Sequence, residues 1–142
     1  MPPLDKSWFL FYYYIRSFEY CRKLVKAMER EQEQQLFRLQ ADLCQTLADP
    51  TRLELLYLLD ERPYAVKDLV QAMGQRQAKI SQHLAMLRQR GIVRAERVGT
   101  EMHYSLADPR ILEACRITRE VLLQQLAQQG TLATVFSVVR EG

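Results

Sequence analysis

Leu36, Leu39, Leu43 and Leu47 recur in steps of three and four, a spacing that lines one face of a helix and predicts one over residues 32–48. Asp49-Pro50 ends that run and starts another. Aspartate can cap a helix with its side chain, and proline in the first turn lacks only an N–H that would have no partner inside the helix. The second helix carries Leu53, Leu55, Leu56, Leu58 and Leu59, apolar nearly all round, as a buried pillar would be. Pro63 marks the loop after it. Val66, Leu69, Val70 and Met73 then form the inward side of a short helix over residues 66–73, and Gly74 supplies a turn. Ile80, Leu84 and Leu87 are the buried side of a further helix over 77–90, stopped by Gly91.

Beyond it, Gly91 to Val98 and Glu101 to Leu106 read as two strands around Gly99-Thr100, with Gly99 providing the positive φ of a hairpin tip. Asp108-Pro109 repeats the cap-plus-proline signal and launches a long helix to about residue 129, ended by Gly130. The tail, 131–139, is apolar but too short to classify. The predicted fold is mainly α with a small β-hairpin wing, a winged helix-turn-helix. The expected organisation is an aromatic-rich extension over 1–30, a winged helix-turn-helix domain over 31–129, and a tail over 130–142. There is no internal repeat and no low-complexity linker.

Charge sharpens this picture. The chain of 142 residues carries a net charge of only +3, which alone would not suggest nucleic acid. Between residues 76 and 97, however, Arg76, Lys79, Arg88, Arg90, Arg94 and Arg97 face a single anion, Glu96. Positive charge gathered on one motif of an otherwise slightly acidic chain is the footprint of phosphate binding. The bland alternative, a solvated basic face, weakens once the cluster falls on a helix and a wing.

The N-terminus stands apart. Trp8-Phe9-Leu10-Phe11-Tyr12-Tyr13-Tyr14-Ile15 is apolar or aromatic throughout, yet a membrane span needs roughly 20 apolar residues. Charged flanks and the lack of a small-residue cleavage site argue against a signal peptide. Two readings stay open. The segment is an added helix that packs on a dimer or touches a membrane surface, or it is upstream sequence from a misassigned start, with Met28 as the first residue. Cys21, Cys44 and Cys115 are too few and too scattered for a secreted disulfide framework or a zinc knuckle. The expected compartment is the cytoplasm.

Leu47-Ala48-Asp49-Pro50-Thr51-Arg52-Leu53, Val66-Lys67-Asp68-Leu69, Ser81-Gln82-His83-Leu84, Leu87-Arg88, Gly91-Ile92-Val93 and Tyr104-Ser105-Leu106, in this order and spacing, resemble the arsenical-resistance/metallothionein repressor family, ArsR/SmtB. The likeness covers roughly residues 36–128. It implies a winged-helix homodimer, paired through its first and last helices, that binds an inverted-repeat operator and represses transcription until an inducer weakens its grip. The expected partners are an operator duplex and a second copy of the chain, with no membrane and no cofactor.

A helix set in the major groove reads base edges from its N-terminal half. Here those positions are Gln77, Lys79, Ser81, Gln82 and His83, and Gln82 can bond an adenine edge in two places. His83 can equally cap or pack. Arg94, Arg97 and Thr100 fall where a wing touches backbone or minor groove, while Arg88 and Arg90 are either a solvated helix end or a phosphate clamp. Ile111, Cys115, Thr118 and Leu122, spaced four and three apart, suit a partner helix, or else cover the chain's own core.

What the regulator senses is less legible. The family's thiolate metal site would need cysteines where Ala65 and Lys67 stand, and neither ligates a soft metal. Of its zinc site on the last helix Asp108 matches, but Arg110, Val121 and Gln124 occupy the other positions, and a lone carboxylate does not hold zinc. No metal site is therefore expected. Some family members respond to peroxide or reactive sulfur through paired cysteines, and the resemblance places Cys44 and Cys115 on helices that meet at the dimer interface. The pair is the expected redox switch. Inert buried cysteines with a metal at another site or a small molecule as inducer form the alternative. An enzyme is not expected: there is no glycine-rich phosphate loop, and Asp68 with His83 suits capping and DNA contact better than acid–base work. A winged helix used only for protein contact is disfavoured by the basic cluster.

Overall fold

The computed structural model describes residues 6–27, 30–131, 133–134 and 137. Met28, the proposed alternative start, lies outside the described residues, as does most of the 130–142 tail. The chain divides into two units, Met1–Gln45 and Thr46–Gly142.

The first unit is helical. It contains α1 (Lys6–Ala27) and nearly all of α2 (Arg30–Leu47). Glu31 and Glu33 sit in the first turn of α2, where negative charge suits the positive end of the helix dipole. The leucine spacing correctly indicated this helix, although Leu36 and Leu39 remain exposed in the single chain together with Phe37.

The second unit follows the order α3 (Pro50–Glu61), β1 (Tyr64–Ala65), α4 (Val66–Met73), α5 (Gln77–Gln89), β2 (Val93–Val98), β3 (Glu101–Leu106) and α6 (Arg110–Gln128). Its core is aliphatic: Leu55, Leu56, Leu69, Ile80, Leu84, Leu87, Ile92 and Leu112 are fully buried. Truncating one such leucine to alanine typically costs about 2–5 kcal/mol, because the cavity left behind collapses only partly. Helix α3 is the pillar its composition suggested. Asp49 caps it, accepting the backbone N–H of Arg52 at 3.0 Å, with Pro50 in the first turn.

The second Asp-Pro pair behaves differently. Pro109 itself occupies the cap position of α6, and Asp108 stands one residue earlier. Its Oδ1 still accepts the Arg110 N–H at 3.0 Å, so the start signal works with its register moved by one. At the far end of the unit, Arg116 reaches Asp60 of α3 at 2.5 Å, and the Arg119 guanidinium lies 4.6 Å from the centre of the Tyr57 ring. These contacts fasten α6 across α3.

The sheet has three strands in the order β1-β3-β2, antiparallel throughout. The hairpin pairs Val93 with Leu106 through to Val98 with Glu101. At its tip Gly99 takes a φ of 64° and no described non-glycine residue has a positive φ, the pattern of a type II′ turn. Strand β1 is an addition to the expected hairpin. Only two residues long, it pairs Tyr64 with Tyr104 and Ala65 with His103, where the sequence suggested a loop after Pro63. A strand that short shows no alternation, so nothing in its own residues announces it.

Candidate nucleic-acid interface

The turn before α5 is set by Gly74, whose φ of 61° closes α4 with a left-handed cap and whose N–H reaches the Val70 carbonyl at 2.9 Å. A side chain here would meet no neighbouring atom, but its backbone would be strained. Helix α5 then begins at Gln77 without a side-chain cap and without an acidic residue in its first turn. Its leading N–H groups and the positive end of its dipole therefore stay available to an anion.

Helical spacing divides α5 cleanly. Ile80, Leu84 and Leu87 are buried, whereas Gln77, Lys79, Ser81 and Gln82 are exposed. Those four present two amides, an ammonium and a hydroxyl to solvent, a set able to donate to phosphates and to hydrogen-bond base edges. Among the described residues, Arg76 and Lys79 have no ion-pair partner, and both are exposed. Arg88 and Arg90 are exposed at the other end of the helix.

His83 differs from its neighbours in the expected row. Its side chain is only 15% exposed and points to the start of α3. Nδ1 lies 3.3 Å from Arg52 Nη1 and 3.9 Å from Asp49 Oδ1. The Arg52 Nε also donates to the Thr46 carbonyl. Asp49 is held below the usual carboxylate range, first by the Arg52 N–H it accepts and then by the charges of His83 and Arg52, against an opposing effect of burial. The packing role that the sequence left open for His83 is the one its geometry displays.

The wing residues also separate. Because side chains alternate along a strand, Arg94 and Arg97 lie on opposite faces of the hairpin. Arg94 is at its base, where Nη2 donates to the Ala107 carbonyl at 2.7 Å. Arg97 and Thr100 are exposed toward the tip, with no ion pair to Arg97 among the described residues. On the Arg94 face the sheet carries Glu96, Glu101 and His103. Lys67 of α4 pairs with Glu101, which also lies 3.5 Å from His103 Nε2. The Lys67 hydrogen bond is the main reason the Glu101 carboxyl sits below its ordinary value. On this face Glu96 and Glu101 offset Arg94 and Lys67, whereas Arg97 toward the tip has no ion-pair partner among the described residues, which makes the Arg97 side and the tip the better surface for phosphate. No motif in the sequence announced the Lys67–Glu101 brace.

The remaining candidates lie elsewhere. Cys44 is exposed on α2, and Cys115 is half-buried on α6. Along α6, Ile111 is half-buried while Ile117, Val121, Leu122 and Leu123 are exposed. Ala65 is buried in β1, and among the described residues no group of three His, Cys, Asp or Glu side chains converges to hold a metal.

Residues 49–95 match the profile of a family described as bacterial regulatory protein, arsR family. The chain is 39% identical over 95 residues to an uncharacterized HTH-type transcriptional regulator of Mycobacterium tuberculosis, Rv0081, covering 66% of this chain and 83% of that one. It is 35% identical over 91 residues to a protein of Synechocystis named transcriptional repressor SmtB homolog, covering 64% and 66%. The crystal structure of Rv0081 superposes with a TM-score of 0.61 over 66% of this chain and 95% of that one. The solution structure of a homodimeric winged helix-turn-helix DNA-binding domain of Mycobacterium bovis, Mb0332, superposes with a TM-score of 0.63 at 26% identity, over 70% and 92%.

Proposed function

The chain belongs to the arsR family of bacterial regulatory proteins, a DNA-binding transcriptional regulator and not an enzyme, and from that premise we propose that it is an operator-binding repressor working as a homodimer. Residues 31–129 are the working domain. Two copies pair through α2 and α6 and present one α5 each to successive major grooves of an inverted repeat. The exposed set Gln77, Lys79, Ser81 and Gln82 on α5 carries this reading, because it combines a cation, amides and a hydroxyl with a helix start that has no side-chain cap. Gln82 and Ser81 contact base edges, with Gln77 and Lys79 at the flanking bases and phosphates. Arg97 and Thr100 hold the adjoining backbone or minor groove. His83 and Arg94 set the position of the reading helix and the wing.

Release follows oxidation of Cys44 and Cys115. Two thiols and one hydrogen peroxide give one disulfide and two waters, the sulfurs losing two electrons that reduce the peroxide O–O bond. Bridging helices α2 and α6 would alter the spacing between the two α5 helices, since a disulfide demands Cα atoms roughly 4.4–6.8 Å apart. The exposure of Cys44 and the partial exposure of Cys115 support access by an oxidant of this size.

The test is selection of a bound site from a random duplex library by the whole protein, followed by titration of that site at several salt concentrations. An inverted repeat with two half-sites about one helical turn apart is the expected product, bound by two chains and weakened steeply by salt. A monomer in sedimentation that ignores duplex DNA at low ionic strength would overturn the proposal.

A further inference from the structure

The proposed function gives helix α1 no part, yet its chemistry is far from neutral. Along it Leu10, Tyr13, Tyr14, Ile15, Phe18, Tyr20 and Leu24 are exposed, Phe18 and Tyr20 at 60% and 65%. The same helix carries Lys6, Arg16, Arg22, Lys23 and Lys26 against Glu19 alone, a net charge of +4 on 22 residues. Helical spacing sets Arg16, Arg22, Lys23 and Lys26 on one side near Glu19. Leu10, Tyr14, Cys21 and Leu24 occupy the opposite side, Tyr13, Phe18 and Tyr20 flank it, and Ile15 alone of the exposed large hydrophobic side chains falls among the cations.

Three kinds of surface could cover such a helix. Duplex DNA matches the charge but offers no apolar layer for seven large side chains. A second copy of α1 offers the apolar layer but brings the same positive charge. A bilayer surface with anionic headgroups supplies both negative charge and an apolar layer beneath it. Basic residues with aromatics at the boundary are the composition of helices that lie in that plane.

Among the described residues no helix is long and apolar enough to cross a membrane. Lying on a surface makes no such demand; it needs only one wetted apolar side and cations within reach of the headgroups. We infer that α1 is a peripheral anchor that lies on an anionic lipid surface, with its aromatic and aliphatic side chains in the headgroup–acyl boundary and Arg22, Lys23 and Lys26 against the phosphates. The operator-binding unit then works close to the membrane. This inference does not depend on what the regulator represses or senses.

The test uses the full chain and vesicles of phosphatidylcholine with or without phosphatidylglycerol. The chain's single tryptophan, Trp8, is in α1 and reports burial by the position of its emission. The protein should sediment with the phosphatidylglycerol vesicles, release as salt is raised, and shift its Trp8 emission to the blue. Lys23→Gln with Lys26→Gln should lower partitioning roughly 30-fold, since each cation near such a surface is worth about a factor of five. Phe18→Ser with Leu24→Ser should abolish the blue shift while circular dichroism and duplex binding match the parent chain. Equal partitioning to both vesicle types, or to neither, overturns the inference. So does loss of duplex affinity in the Lys23/Lys26 variant, which would assign the helix to DNA. A concentration-dependent self-association that alone accounts for the Trp8 shift would assign it to a second copy.

Discussion

His83 Nδ1 lies 3.3 Å from the Arg52 guanidinium, so this side chain of α5 is turned inward while Ser81 and Gln82 just before it are exposed. Arg52 belongs to the first turn of α3, where Asp49 caps the helix. Through Arg52 and Asp49 helix α5 is tied to the start of α3. In the proposed reading, position and readout therefore fall to different side chains of the same three-residue stretch.

His83→Ala should therefore lower stability and weaken binding to every duplex alike, leaving base preference unchanged. The lost contact is worth about 1 kcal/mol, the usual net value of one hydrogen bond in a half-buried setting. His83→Gln, which keeps an acceptor within reach, should recover part of the loss. Thermal unfolding and a panel of single-base operator variants decide between this and direct readout. A changed preference at one base pair with an unaltered melting midpoint would contradict the bracing role.

Gln82 and Arg97 should separate in the opposite sense. Gln82→Ala is expected to relax discrimination at one adenine by about 1–3 kcal/mol while scarcely changing the salt dependence. Arg97→Ala should weaken all sequences and reduce the slope of log affinity against log salt by about one unit. Arg94→Ala should change that slope less than Arg97→Ala, because its guanidinium is engaged with the Ala107 carbonyl and lies on the other wing face. Identical slopes for the two arginine variants would refute the facial assignment of the wing.

Much of this architecture could be read without coordinates, for identifiable reasons. Amphipathic spacing located α2 through α6 to within a few residues, since the three-and-four rhythm of Leu84 and Leu87 or of Val66 and Leu69 is a local property. Gly74 and Gly99 announced their turns because positive φ is costly for other residues. The features that the sequence does not announce are non-local. Strand β1 exists only because Tyr64 and Ala65 meet β3, and the Lys67–Glu101 brace joins residues far apart in sequence. The inward turn of His83 depends on where α3 lies. The opposite facing of Arg94 and Arg97, three positions apart, is implicit in strand alternation.

Acid should loosen the helix starts. Asp49 and Asp108 both have carboxyls held below their ordinary value. For Asp49 the leading cause is the Arg52 N–H; for Asp108 it is the Arg110 side chain, which brings it to about 2 from 3.8. A depressed value in the folded state means that stabilisation is complete above the unfolded value and is lost as pH falls through the folded one. The melting temperature of the parent chain should therefore drop through that acid window. Asp49→Ala should cost about 1 kcal/mol at neutral pH, as loss of a side-chain cap does, and should flatten part of the acid dependence. A variant whose acid profile overlays the parent's would show that the cap contributes nothing.

The cysteine switch makes the sharpest demand on the chain. If Cys44 and Cys115 form the disulfide that releases DNA, peroxide should lower operator affinity in the parent protein, and a thiol reductant should restore it. Cys44→Ser and Cys115→Ser should each remain bound after peroxide, whereas Cys21→Ser should respond like the parent. The single substitutions must leave affinity in reductant unchanged, because a serine that disturbed packing would mimic the oxidised state. Electrophoresis without reductant adds an independent readout: a bridge within one chain changes its mobility, and a bridge between chains doubles its mass. Retained affinity in the parent after complete loss of titratable thiol would remove these cysteines from the sensing mechanism.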